Sequence, residues 1–184
     1  MKILLIVTGS ISAYKAPSIA NGLRNSGNDV KVVLTESAQK FITKLSFSSQ
    51  GFETYTDEND WKYEGVLHID LKDWADWVLV APCTANTLAK MANGIADNLA
   101  SSILRARHKK NAFSLAMNTD MYENPVTEEH IVRIRERSLA NYFIQPESKK
   151  LACGVQGIGA LPSTRTIVSF ANDLNDLNDL GGSK

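Results

Sequence analysis

The sequence predicts an α/β fold: a single-domain, doubly wound parallel sheet, a three-layer sandwich of the Rossmann or flavodoxin-like kind. Three observations predict it. Two short runs, Lys2–Thr8 (KILLIVT) and Trp77–Ala81 (WVLVA), carry aliphatic residues in succession rather than in alternation, which marks strands buried on both faces. Each is followed by a turn of small and polar residues and then by helical spacing. Further strand-like runs at Asp29–Leu34, Ala112–Ala116 and Asn141–Ile144 are again separated by helical stretches, the pattern of βαβ units.

Composition sets the class. With 184 residues, 43% of them hydrophobic, and a formal net charge of zero, one soluble globular domain is expected. Residues 1–176 form that domain and 177–184, the end of NDLNDLNDLGGSK, a flexible C-terminal tail. Zero net charge gives no support to nucleic acid or a membrane surface as partner. The apolar run Ile3–Val7 is too short to cross a bilayer and lacks the features of a signal peptide, so a cytoplasmic protein is expected. A reducing cytosol argues against a disulfide between Cys83 and Cys153. The absence of CxxC and HxxxH spacings argues against a metal site.

The stretch Trp74–Ser102 organises the chain. Its strand is expected to stop at Pro82, which donates no ladder hydrogen bond. Cys83, Thr84, Ala85, Asn86 and Thr87 then form a polar loop, and one helix follows with Leu88, Met91 and Ile95 on a side. The orphan N–H groups of such a helix start attract anions; an ordinary cap by Thr84 or Asn86 fits equally well. The first strand leads into Gly9, Ser10, Ile11 and Ser12, a turn that suits a phosphate or simply a tight βα connection, and then a helix to about Asn25. After Asp29–Leu34, Thr35, Glu36 and Ser37 stand at a strand's carboxyl end; Ser37 also suits a cap for a helix over SAQKFIT. The polar run YTDENDWKYEG reads as a surface excursion. It leads to His68 among aliphatics, which fits a core or interface histidine as well as a catalyst. The loop from Met117 and Asn118 to Pro125 suits a flat or polar ligand, although methionine also fills cores. A helix over Thr127–Ser138 follows, and LACGVQGIGALP, with Cys153, reads as a mobile loop. Ser163 caps the last helix.

Together these residues resemble the flavin-dependent cysteine decarboxylases across nearly the whole chain. GSISAYKA (Gly9–Ala16) is similar to that family's first loop. His68 followed by WAD (Trp74–Asp76) is similar to its histidine segment. APCTANTLAKMANGIADNL is similar to its Pro-Ala-Ser-Ala-Asn-Thr block, with Cys83 and Thr84 replacing Ala and Ser. AMNTDMYENP is similar to its Pro-x-Met-Asn-x-x-Met block, with Leu115 at the usual proline. LACGVQGIGAL resembles its flap, with Val155 and Ala160 replacing an acid and an arginine.

The resemblance implies FMN as cofactor, bound by Gly9, Ser10, Ile11, Ser37, Pro82, Thr84, Ala85, Asn86 and Thr87, with Met117 near the ring. It implies a cysteine-containing small-molecule substrate. The members most similar convert 4'-phospho-N-pantothenoylcysteine to 4'-phosphopantetheine in coenzyme A biosynthesis, by thiol oxidation, CO₂ loss and re-reduction without net redox change. It assigns His68 as the base, Asn118 as the carboxylate holder and Cys153 as the proton donor to the reduced product. Peptidyl-cysteine decarboxylases of lantibiotic biosynthesis stop at the oxidised enethiol and lack the flap cysteine, so Cys153 separates the two readings. A non-catalytic flavin-binding subunit that regulates a phosphatase is a further alternative, disfavoured by the short tail. A prenyl-transferring flavin enzyme is disfavoured by AMNTDM and Cys153. The second, ligase domain of bifunctional relatives is not expected in a chain of this length. A homo-oligomer, trimer or dodecamer, with shared sites is implied, and Trp61, Tyr63, Trp74 and Trp77 are expected to cluster at its interface around His68.

Overall fold

The computed structural model describes residues 1–106, 110–152, 154 and 156–179, with side chains to residue 174. The chain runs β1 (Lys2–Val7), a 3-10 turn (Ile11–Lys15), α1 (Ala16–Asn25), β2 (Asp29–Leu34), α2 (Leu45–Ser48), β3 (Thr54–Thr56), α3 (Asp57–Lys62), α4 (Leu67–Trp74) and β4 (Trp77–Cys83). It continues with α5 (Ala85–Asn93), α6 (Leu99–Arg105), β5 (Asn111–Leu115), α7 (Thr119–Tyr122), α8 (Pro125–Arg137), β6 (Asn141–Ile144), β7 (Glu147–Lys150), β8 (Gln156–Ala160) and α9 (Thr164–Asp179). Six strands form a parallel sheet in the order β3-β2-β1-β4-β5-β6, and β7 and β8 form a separate antiparallel hairpin.

Both faces of the sheet are covered. Ile3, Leu5 and Val7 of β1, with Trp77 and Leu79 of β4, meet Ile19 and Leu23 of α1 and Ile167 and Leu174 of α9. Leu4, Ile6, Val78 and Val80 meet Leu67 and Leu71 of α4, Leu88 of α5, Ile103 of α6 and Ile131 of α8. Each such aliphatic side chain contributes about 1.5–3 kcal/mol by leaving water. This is the predicted doubly wound three-layer sandwich. The strand order reverses between β1 and β4, and the crevice beyond their carboxyl ends is where ligands bind in such sheets.

Several expectations need correction. β4 does not stop at Pro82: it continues to Cys83 through a register irregularity and a cis Ala81–Pro82 peptide. Cys83 is therefore a buried strand residue rather than a loop residue, and burial pushes its thiol up to about 12. The helix expected to carry Ile95 ends at Gly94, and a new one starts behind Asn98, which caps it. SAQKFIT makes only a 3-10 turn over Ala38–Lys40. The polar excursion holds an edge strand and a helix, because Thr54 and Thr56 are buried against β2 while Thr56 and Asn59 form a capping box. His68 is the second residue of α4. LACGVQGIGALP contributes strand β8 to the hairpin rather than a plain loop, although Cys153 and Val155 lie outside the described residues. Trp77 is fully buried beneath the sheet, away from the exposed Trp61 and Tyr63, so the four aromatics do not form one cluster. Ser163 does cap α9, accepting from the Thr166 N–H at 3.1 Å. No helix among the described residues is long and apolar enough to cross a membrane.

Candidate functional site

A cavity of about 890 Å³ opens at the carboxyl ends of β1, β2, β4 and β5. Thr8 sets its floor. Its hydroxyl donates to the Pro82 carbonyl at 2.7 Å and accepts from the Thr84 N–H at 3.2 Å, tying the ends of β1 and β4 together. The next residue, Gly9, runs against the turn after β2: a Cβ there would lie 2.4 Å from Ser37 Cβ and 3.1 Å from the Ser37 carbonyl carbon. Only glycine lets these two loops approach so closely. Ser10 caps the following 3-10 turn by accepting from the Ser12 N–H at 3.2 Å.

Thr84 caps α5, accepting from the Thr87 N–H at 3.4 Å. The N–H groups of Ala85 and Asn86 stand at the positive end of the helix dipole, where no intrahelical acceptor exists. Gly9, Ser10, Ser37 and Thr84–Thr87 thus present donors and small side chains to one part of the cavity, while Ala116, Met117 and Met121 give it an apolar wall. That suits a ligand with an anionic end and a flat body. The lining also includes Lys90 and Asp97, paired at 2.9 and 2.7 Å; the Lys90 ammonium holds the Asp97 carboxyl below its ordinary range. Asp57, another lining acid, accepts from the Leu99 N–H at 2.8 Å and so caps α6.

A second cavity of about 510 Å³ adjoins the first. The two share Ser10, Ala116 and Met117. Asn118 lines the second; its side-chain oxygen accepts from the Asp120 N–H at 2.8 Å, capping α7. Lys15, Lys149 and Lys150 bring three cations to its wall. The hairpin closes it from above. The Met117 N–H donates to the Gly159 carbonyl at 2.9 Å, and the Thr119 hydroxyl donates to the Ile158 carbonyl at 2.7 Å. Gly159 has φ of 138°, and a Cβ on it would fall 2.1 Å from the Met117 carbonyl oxygen, so a glycine is required there. Leu151 and Ala152 also line this cavity.

Of the residues singled out in the sequence, Gly9, Ser10, Ser37, Thr84, Ala85, Asn86, Thr87 and Met117 meet around the first cavity. Ile11 borders the second together with Asn118. Pro82 lines neither and serves through its carbonyl. His68 lines neither; its Nδ1 lies 4.0 Å from Asp60 Oδ1, and Asp60 does border the first cavity. Cys153 is outside the described residues. Sequence reasoning missed Thr8, Lys90, Asp97 and Ser101. Reading Gly94 as a helix stop and Asn98–Ser101 as a capping pair would have exposed the last two as lining.

The profile of the family described as Flavoprotein matches residues 1–175. A Dictyostelium discoideum protein named putative phosphopantothenoylcysteine decarboxylase is 38% identical over 178 residues, 91% of this chain and 90% of that one. A Schizosaccharomyces pombe protein named probable thymidylate synthase is 41% identical over 179 residues, 93% of this chain; the chain spans only 29% of that protein's length. A solved structure of a PPC decarboxylase mutant complexed with pantothenoylaminoethenethiol superposes with a TM-score of 0.89 at 37% identity, covering 95% of this chain and 98% of that one.

Proposed function

Because the chain belongs to the flavoprotein family, we propose that it binds FMN in the first cavity and decarboxylates 4'-phospho-N-pantothenoylcysteine to 4'-phosphopantetheine. The observation that carries this reading is that two adjacent cavities share Ser10, Ala116 and Met117 in their linings. A cofactor in one and a substrate in the other would both border these residues.

Bound FMN supplies the two-electron chemistry that makes the substrate's thiol carbon an electron sink for the departing CO₂. The chain's own groups do the rest. Gly9, Ser10, Ser37 and the start of α5 would hold the cofactor's phosphate, and Met117 and Ala116 would give its ring an apolar neighbour. Lys15, Lys149 and Lys150, all lining the second cavity, give the substrate's phosphate a cationic seat. Asn118, in the lining of the second cavity, orients the substrate carboxylate. His68 takes the thiol proton, and Cys153 returns a proton to the product. The exposed Trp61 at the mouth of the first cavity and the position of His68 outside both cavities support a homotrimeric arrangement. In it His68 of one chain serves the site of its neighbour.

The test is a product assay with purified, yellow protein. The expected result is CO₂ and the saturated amine thiol, with His68→Asn keeping its flavin but losing turnover. Failure to take up FMN, or an enethiol as the final product, would reject the reading. Mixed trimers of His68→Asn and Asn118→Asp chains are expected to regain activity; no regain would reject the shared site.

A further inference from the structure

The corner between α3 and α4 sets a carboxylate against the imidazole of His68. The capping box of Thr56 and Asn59, with Asn59 Oδ1 accepting from the Thr56 N–H at 2.9 Å, fixes the first turn of α3 and hence the place of Asp60. Leu67 and Leu71, 1% and 3% exposed, anchor the apolar side of α4 in the core. Tyr63, in the connection, lies beside Asp70 of α4, whose carboxylate raises the phenol above its ordinary range. His68 is thereby held with Nδ1 4.0 Å from Asp60 Oδ1, the two side chains 33% and 27% exposed. A shift of about 1 Å brings the two atoms to hydrogen-bond distance.

We propose that Asp60 is a positioning residue that keeps the proton of neutral His68 on Nδ1, so that Nε2 carries the lone pair that accepts the substrate's thiol proton. The proposal rests on the reading of His68 as the base. A neutral imidazole has one N–H and one lone pair, and an ionised carboxylate can only accept. A carboxylate facing Nδ1 therefore selects the tautomer with the proton there. When Nε2 takes the thiol proton, the ring becomes cationic beside Asp60, which stays ionised and stabilises it. The balance is one proton from sulfur to Nε2, with the Nδ1 proton unmoved. Asp60 also borders the first cavity, so one side chain sets both the cavity's edge and the ring's orientation.

The experiment is nitrogen NMR on FMN-loaded protein with isotopically labelled histidine, at about pH 8.5, above the ordinary imidazole range. The His68 signals are identified by their loss in His68→Asn. Wild type is expected to show a protonated Nδ1 and a bare Nε2. In Asp60→Asn the side-chain amide can donate to Nδ1, so the proton is expected on Nε2, with kcat down by about 10- to 100-fold and KM little changed. Asp60→Glu is expected to restore the wild-type tautomer and most of the rate. A proton on Nε2 in wild type, or an unchanged tautomer in Asp60→Asn, overturns the proposal. The wild-type spectrum decides even where a variant does not fold. Full turnover by His68→Asn removes the base role of His68, while the tautomer, read without substrate, decides separately whether Asp60 orients the ring.

Discussion

The walls of the two cavities are made in different ways. The first is bounded by strand ends, where Thr8 and Thr35, 1% and 7% exposed, hydrogen-bond to carbonyls of neighbouring strands. Its geometry is inherited from the sheet, and distorting it disturbs the core. The second is half built by a hairpin whose strand β7 is mostly exposed and which touches the loop after β5 through a few hydrogen bonds and two close-packed glycines. Rigid support suits a resident cofactor, whose site gains by being preformed. A lightly attached cover suits a substrate that must enter and leave.

Substitutions that damage one wall and spare the other sharpen this contrast. The largest effect is expected from Gly9→Ala. Its methyl group meets the Ser37 side chain and backbone, an overpacking cost of about 1–3 kcal/mol. FMN affinity is expected to fall roughly ten- to hundredfold in a fluorescence titration; wild-type affinity would show that the loops part without loss. Next is Gly159→Ala, which both strains a positive φ and strikes the Met117 carbonyl. The hairpin is expected to detach, lowering kcat/KM about tenfold while FMN affinity changes little. An equal loss of flavin would mean that the two walls are one unit.

Thr84→Ala removes the cap of α5 and the link to Thr8. A loss of about 1 kcal/mol is expected, which lowers Tm by about 2–4 °C, and calorimetry measures it. The smallest effect belongs to Lys90→Met. Asp97 has a depressed pKa, chiefly through its hydrogen bond to Lys90, so the stability it contributes is present above the ordinary carboxylate value and lost as pH falls through the depressed one. The stability difference between wild type and variant is therefore expected at neutral pH and to shrink under acid. Denaturant midpoints compared at pH 7 and at about pH 3 check the sign.

The sequence by itself determined the layers and most of the loops that line the first cavity. Continuous apolar runs disclose a strand buried on both faces, and Gly9 and Thr84 stand just beyond such runs, so local pattern reaches them. The family resemblance supplied roles for His68, Asn118 and Cys153 that no local pattern contains. Only tertiary structure decided that Cys83 is core rather than loop, because its burial comes from β5 and the helices above it. It also decided that Trp77 lies on the opposite face from His68, that β8 seats its glycines on the Met117 loop, and that the two cavities share Ser10, Ala116 and Met117 in their linings. The pairing of Asp60 with His68 belongs to the same class. These depend on strand order and on contacts between residues distant in sequence, and hydrophobic periodicity records how deeply a residue is buried, not which residue it is buried against.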